Sequence, residues 1–192
     1  AAKSASMRFI VRDAMKSVRA LDKSIKQCEK QILELIEGDE ELARNYGHIT
    51  SVHGIGIVNA TAFIVYSNNF KGIVTANKMA SYWGCAAFRD TSGTSVDKKA
   101  YVKCYSNSLL KANLTEAAEW TIKENGIYHD YYLRLKAAGK PYGVIINNAR
   151  NKLIHLVCSL VANDMDYERN HEQLRAQRKG KTKMSAQLEN IN

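Results

Sequence analysis

The residues best placed to do chemistry are Arg89-Asp90-Thr91-Ser92-Gly93-Thr94-Ser95, the one long polar run inside an otherwise apolar-patterned region. A serine hydroxyl can attack a phosphodiester and form a phosphoserine ester. That requires a base or metal to take its proton and cations to stabilise the crowded phosphorane. Arg89, Lys98, Lys99 and Lys103 could supply the cationic part. On residue types alone a solvated turn is the simpler reading of these serines, and the run is too turn-prone for a regular element. Long polar loops held by a packed domain are nonetheless frequent sites of function. His48, His53, His129 and His155 show neither triad nor ligand spacing, and His155, set in Leu-rich sequence, reads as a buried histidine. The tyrosines between 128 and 132 read as core and interface. The four cysteines, Cys28, Cys85, Cys104 and Cys158, lie far apart with no Cys-x-x-Cys, which predicts reduced, mostly buried thiols in a cytoplasmic protein and no metal site.

A second constellation, His53-Gly54-Ile55-Gly56, closed by Ala60 and followed by Phe63-Ile64-Val65, concerns binding. Two glycines around an aliphatic residue let the backbone turn sharply between helices, because glycine enters positive φ without steric cost. The next helix then starts with unpaired amides, a ready phosphate site. This is the outline of a helix-hairpin-helix, a clip for the nucleic-acid backbone that cannot itself read sequence. A plain helix-capping turn is the bland alternative. The dinucleotide-binding version is excluded, because Asn59 stands where its third glycine belongs and no strand precedes it.

The elements that must position these groups are helical. Hydrophobic content of 45% over 192 residues can build a core, and the single proline, Pro141, leaves long periodic segments uninterrupted. Expected is a mainly α fold: a long N-terminal coiled-coil helix, then a compact helical domain with a helix-hairpin-helix element. In the first segment Val11, Val18, Ile25 and Ile32 fill one heptad position and Ala14, Leu21, Cys28, Leu35 and Leu42 the other, a pattern for two-stranded pairing. One long amphipathic helix lying on its own domain is the alternative. Gly38-Asp39 breaks the seam. Helices are then predicted through Tyr46 and Ile49, from about Val58 to Tyr66, from a Thr75 cap through Trp83, and from about Ser106 to Lys123. Two more follow, around Tyr128–Leu135 and from about Tyr142 to Ala162. On the last of these Arg150 and Lys152 are expected to project away from the core. Beyond Tyr167 the apolar period gives way to Arg175, Arg178, Lys179, Lys181 and Lys183, a flexible basic tail. The resulting division is 1–45, 46–167 and 168–192.

Net charge of +9 favours an anionic partner, nucleic acid above all. No apolar run approaches the ~20 residues of a membrane span, so no membrane partner is expected.

Five blocks in order give a more specific resemblance. The run Ser51–Ala62 resembles the opening of the C-terminal transposase domain of the IS-one-ten family of insertion-sequence transposases, relatives of the Piv DNA invertases. Tyr82-Trp83-Gly84-Cys85-Ala86-Ala87 resembles its Tyr-x-Gly-hydrophobic-Ala-Pro block, and Thr91–Ser95 its Ser-Gly loop. Leu109-Leu110 to Ala118 resembles its alanine-rich helix. Tyr131-Tyr132 with Gly139-Lys140 and the helix around Ala149 to Leu153 resemble its last two blocks, and the heptad segment fits the preceding linker. His53 and Ala87 replace prolines of the pattern, and Lys103-Cys104-Tyr105-Ser106 lacks its Arg and Gly.

The resemblance implies a nucleophilic serine at Ser92, with Ser95 the runner-up. Nucleic-acid contacts are expected at Gly54, Ile55, Gly56, Arg89, Ser95, Lys98, Lys99, Lys103, Arg150 and Lys152. The resemblance also implies a RuvC-like nuclease domain carrying Mg²⁺, expected upstream of Ala1, so that this chain is a fragment with no cofactor of its own and inactive alone. The implied partners are double-stranded DNA, a guide (bridge) RNA and further copies of the chain, in the bacterial cytoplasm near the nucleoid. The alternative function is a non-enzymatic helix-hairpin-helix module that binds DNA and dimerises.

Overall fold

The computed structural model describes residues 2–72, 75–88, 91–92, 96–97, 101–102 and 107–168, with backbone alone for 2–6, 91–92 and 96–97. The chain divides into two units, Ala1–Arg44 and Asn45–Asn192. It is mainly helical, as the apolar periodicity requires.

The first unit is dominated by α1, Ala2–Glu37. Its heptad residues Val11, Val18, Leu21, Ile25 and Leu35 are exposed, and so is Cys28, against the expectation of mostly buried thiols. Lys30 and Glu34 pair one turn apart at 3.3 Å, the ordinary support of a solvated helix face. The helix ends where Gly38 and Asp39 interrupt the seam. Asp39 Oδ1 then accepts from the amides of Glu41 (2.9 Å) and Leu42 (3.0 Å), capping α2, Glu40–Thr50. Leu42 therefore belongs to α2 and not to the long helix.

In the second unit α3 spans Ile57–Tyr66, α4 Ala76–Tyr82, α5 Ser108–Ile122, α6 His129–Ala137 and α7 Tyr142–Ala162. The core lies where α5 and α7 pack together, with α4 on α7 and with α3 and α6 on α5. Leu110, Leu114, Ala117 and Ala118 of α5 meet Ile145, Ile146, Ala149, Leu153, Ile154 and Val157 of α7 in that core, all nearly fully buried. Phe63 and Trp83 stack with ring centroids 4.4 Å apart. Caps fix the helix starts: Thr75 Oγ1 accepts from the Lys78 amide (3.3 Å) and Asn107 Oδ1 from the Leu110 amide (3.2 Å).

Between α4 and α5 the polar run is held by two short antiparallel ladders. In one, β1 (Ala87–Phe88) pairs with β4 (Tyr101–Val102); inside it, β2 (Thr91–Ser92) pairs with β3 (Val96–Asp97). The run expected to be irregular thus carries short strands.

Two expectations fail in α7. Arg150, placed on the outer face, is only 8% exposed, and His155, read as buried, is exposed. Helix α6 has no buried residue, so Tyr131, Tyr132 and Leu135 are half-exposed and not core.

Candidate nucleic-acid interface

The turn between α2 and α3 owes its shape to one glycine more than to the other. Val52 and Ile55 are buried anchors, and the Ile55 amide donates to the Val52 carbonyl at 3.0 Å. Gly54 between them has φ +99°, and a Cβ built there would lie 3.0 Å from Trp120 Cβ and 3.4 Å from the Ala117 carbonyl oxygen. It is needed both for its backbone angle and for the close approach to α5. Gly56 sits at φ −93° with open space around it, at the start of α3, which no side chain caps. Across the interface with α5, Asn59 Nδ2 donates to the Asn113 carbonyl at 3.3 Å.

The serine lies on the inner ladder, where Ser92 pairs with Val96. Arg89, Ser95, Lys98, Lys99, Lys103 and Cys104 lie outside the described residues, as does the chain beyond Glu168 with its basic tail. The foot of this hairpin is fastened to the core, since Asn147 Nδ2 of α7 donates to the Cys85 carbonyl at 2.9 Å, two residues before β1.

One turn further along α7, Arg150 is buried, and its Nε and Nη1 have no hydrogen-bond partner. Among the described residues no carboxylate pairs with it. Burial pushes the Cys85 thiol up from its ordinary pKa, partly offset by the positive charges of Arg150 and Lys111 beside it. The site is therefore a desolvated cation facing a neutral thiol and a second cation. Such an arrangement is costly unless an anion joins it. Lys152, on the exposed side of α7, stands over the rings of Tyr131 (4.7 Å) and Tyr128 (5.6 Å). Arg134 and Lys136 lie over Tyr131 and Tyr132 in the same way.

A separate polar cluster went unnoticed in the sequence. After α7, Asp164 takes φ +51° and turns the chain back, so that His48 is enclosed by two carboxylates. His48 Nδ1 lies 2.8 Å from Asp166 Oδ1 and Nε2 lies 3.0 Å from Asp164 Oδ1. The Tyr167 amide also donates to Ser51 Oγ at 2.7 Å. A carboxylate only accepts, so both contacts are made together by an imidazolium. Burial opposes the charge on His48, but the hydrogen bonds to Asp166 and Asp164 outweigh it and hold the pKa above its ordinary value. Among the described residues no group of three or more His, Cys, Asp or Glu side chains could hold a metal ion. No helix among them is long and apolar enough to cross a membrane.

The second unit thus carries a short hairpin with Ser92 on its inner ladder, and a buried arginine beside Cys85 at that hairpin's foot. Residues 46–133 match the model of the transposase IS116/IS110/IS902 family, a stretch that runs from the α2–α3 turn through the serine hairpin into α6. The match supports an insertion-sequence transposase, an enzyme class of DNA recombination. A comparison with curated proteins found no match.

Proposed function

We propose that this chain is the serine-bearing, DNA-holding part of an insertion-sequence transposase. The observation that carries the reading is the transposase match, which spans both the Gly54-Ile55-Gly56 turn and the Ser92 hairpin. In this reading Ser92 Oγ attacks a DNA phosphorus and forms an Oγ–P bond. The opposite P–O bond breaks, the serine proton passes to a base, and the released deoxyribose oxygen takes up a proton. Ser95 is the second candidate for the attack. Arg89, Lys98, Lys99 and Lys103 hold the neighbouring backbone, and Gly54, Ile55 and Gly56 form an accessory helix-hairpin-helix grip. Arg150 and Lys152 contribute positive charge, and Arg150 gains the most from an anion because it is already stripped of water.

The reading also includes the features implied by the family resemblance. The Mg²⁺-binding nuclease domain is one of them, and no step here runs through the metal. A guide RNA directs the site, and copies of the chain pair through the α1 seam, whose apolar positions are exposed. The test is strand exchange by the complete transposase carrying Ser92→Ala, with Ser95→Ala beside it. Loss with Ser92→Ala alone supports the assignment, and retained exchange removes Ser92 as nucleophile.

A further inference from the structure

A cavity of about 450 Å³ opens beside the foot of the serine hairpin, lined by Asn77, Lys78 and Ser81 of α4, by Ala86, Ala87 and Phe88 of β1 and its approach, and by Asn151 of α7. Its volume is within the ~300–1,000 Å³ of small-molecule sites. The lining combines small apolar walls with one aromatic ring, one cation, the Ser81 hydroxyl and two carboxamides, those of Asn77 and Asn151. Asn151 Oδ1 is buried without a hydrogen-bond partner, and no described residue bonds the rest of that carboxamide. A buried amide oxygen left unpaired is uncommon and costs free energy that a ligand donor recovers. Lys78 is exposed at the rim, with no ion pair among the described residues.

We propose that this cavity holds one unstacked nucleobase of the bound nucleic acid, its edge on the Asn151 carboxamide and its phosphate on Lys78. The proposal rests on the DNA-holding function above and deepens it by naming what enters the site. A carboxamide presents donor and acceptor side by side, which matches the N6 and N7 edge of adenine. A flat heterocycle suits walls of Ala86, Ala87 and Phe88. Enzymes that act on or beside a base draw it out of the stack into such a pocket and read it by hydrogen bonds and apolar contacts. The position at the root of the Ser92 hairpin gives the extrusion a use: an unstacked nucleotide fixes the register of the phosphate offered to the serine.

The experiment is titration of the 192-residue chain with dAMP, followed by side-chain amide NMR. A saturable shift of the Asn151 carboxamide is expected with dAMP and none with deoxyribose phosphate, which lacks the base. Asn151→Ala is expected to weaken dAMP binding roughly 5- to 100-fold, the range of one good carboxamide–base pair. Ser81→Phe, which fills the mouth from an exposed helix position, is expected to do the same with Asn151 intact. An equal shift by deoxyribose phosphate, or dAMP affinity unchanged in both variants, overturns the proposal. Duplex affinity, measured by anisotropy on the same samples, separates the two readings. DNA bound with no dAMP shift refutes the cavity alone, whereas dAMP bound with no affinity for duplex refutes the DNA-holding function and leaves the cavity a mononucleotide site.

Discussion

Gly54→Ala and Gly56→Ala, two residues apart in one motif, are expected to fail in opposite ways. At Gly54 the backbone sits at φ +99°, which costs a residue with a Cβ ~1–3 kcal/mol. The new methyl would also stand 3.0 Å from Trp120 Cβ, on a helix whose neighbouring Ala117 and Ala118 are fully buried. Crowding of that kind adds ~1–3 kcal/mol. The sum is roughly 2–6 kcal/mol, a drop in Tm of roughly 4–24 °C for a chain of this size. At Gly56 φ is −93° and nothing lies within 4 Å, so Ala there is expected to shift stability by no more than about 1 kcal/mol. Instead the methyl projects into the space where a phosphate would meet the start of α3, and DNA affinity is expected to fall several-fold. Thermal melts by circular dichroism, with anisotropy titrations of a duplex, measure both. A Gly54→Ala protein melting within about 2 °C of the parent would refute the packing argument. Equal losses of stability in the two variants would refute the division of labour.

Gly126→Ala should be more severe still. Its Cβ would lie 2.2 Å from the Thr121 carbonyl oxygen, which already accepts from the Tyr128 amide at 2.8 Å, so loss of the α5–α6 corner and of soluble protein is expected on expression. For His48 the folded pKa is raised, so the stability it contributes is fully present below the unfolded value near ~6.5 and is lost as pH rises through the folded value. Protection of the Tyr167 amide, read by hydrogen exchange and corrected for intrinsic rate, should fall across that window. A His48→Gln chain that keeps the same pH dependence would eliminate the imidazolium as its cause. Arg150→Met should raise the melting temperature while lowering duplex affinity, and a lowered melting temperature would show that the buried guanidinium has a partner of its own.

The sequence was most legible where a local signal and the apolar period agreed. The bounds of α7, Tyr142–Ala162, fall where Pro141 and the loss of period put them, and Thr75 caps α4 as its position before an apolar run implies. The charge of Arg150 points outward, but the apolar period sets its face. Ile146, Ala149, Arg150, Leu153, Ile154 and Val157 form one stripe at helical spacing, so the pattern already put the arginine inside. His155, one residue beyond the Ile154 of that stripe, turns outward by the same geometry. The His48 cluster had no local signal to read, since its partners are 116 and 118 residues away and meet it only through the reversal at Asp164. The inner ladder, Thr91–Ser92 with Val96–Asp97, has no sequence signal because two-residue strands are too brief to show alternation.

The buried arginine, the unpaired carboxamide and the uncapped helix start have a physical cause in common. Each is a polar group that folding has removed from water, or left without an internal partner, at a cost the fold must offset elsewhere. Asn151 adjoins Arg150 on α7, and Asn147, one turn earlier, fastens the hairpin foot that carries Ser92. A chain selected for stability alone would place Leu or Met at position 150, on an otherwise apolar stripe. A bound nucleic acid completes these unpaired groups: its phosphates suit the guanidinium and the helix amides, and a base N–H suits the Asn151 oxygen. Because they are held by packed helices, little reorganisation is needed when it binds, and the same attraction in water would be far weaker. On this argument DNA affinity and thermal stability should move in opposite directions when these groups are replaced by apolar ones, a coupling that surface lysines such as Lys152 would not show.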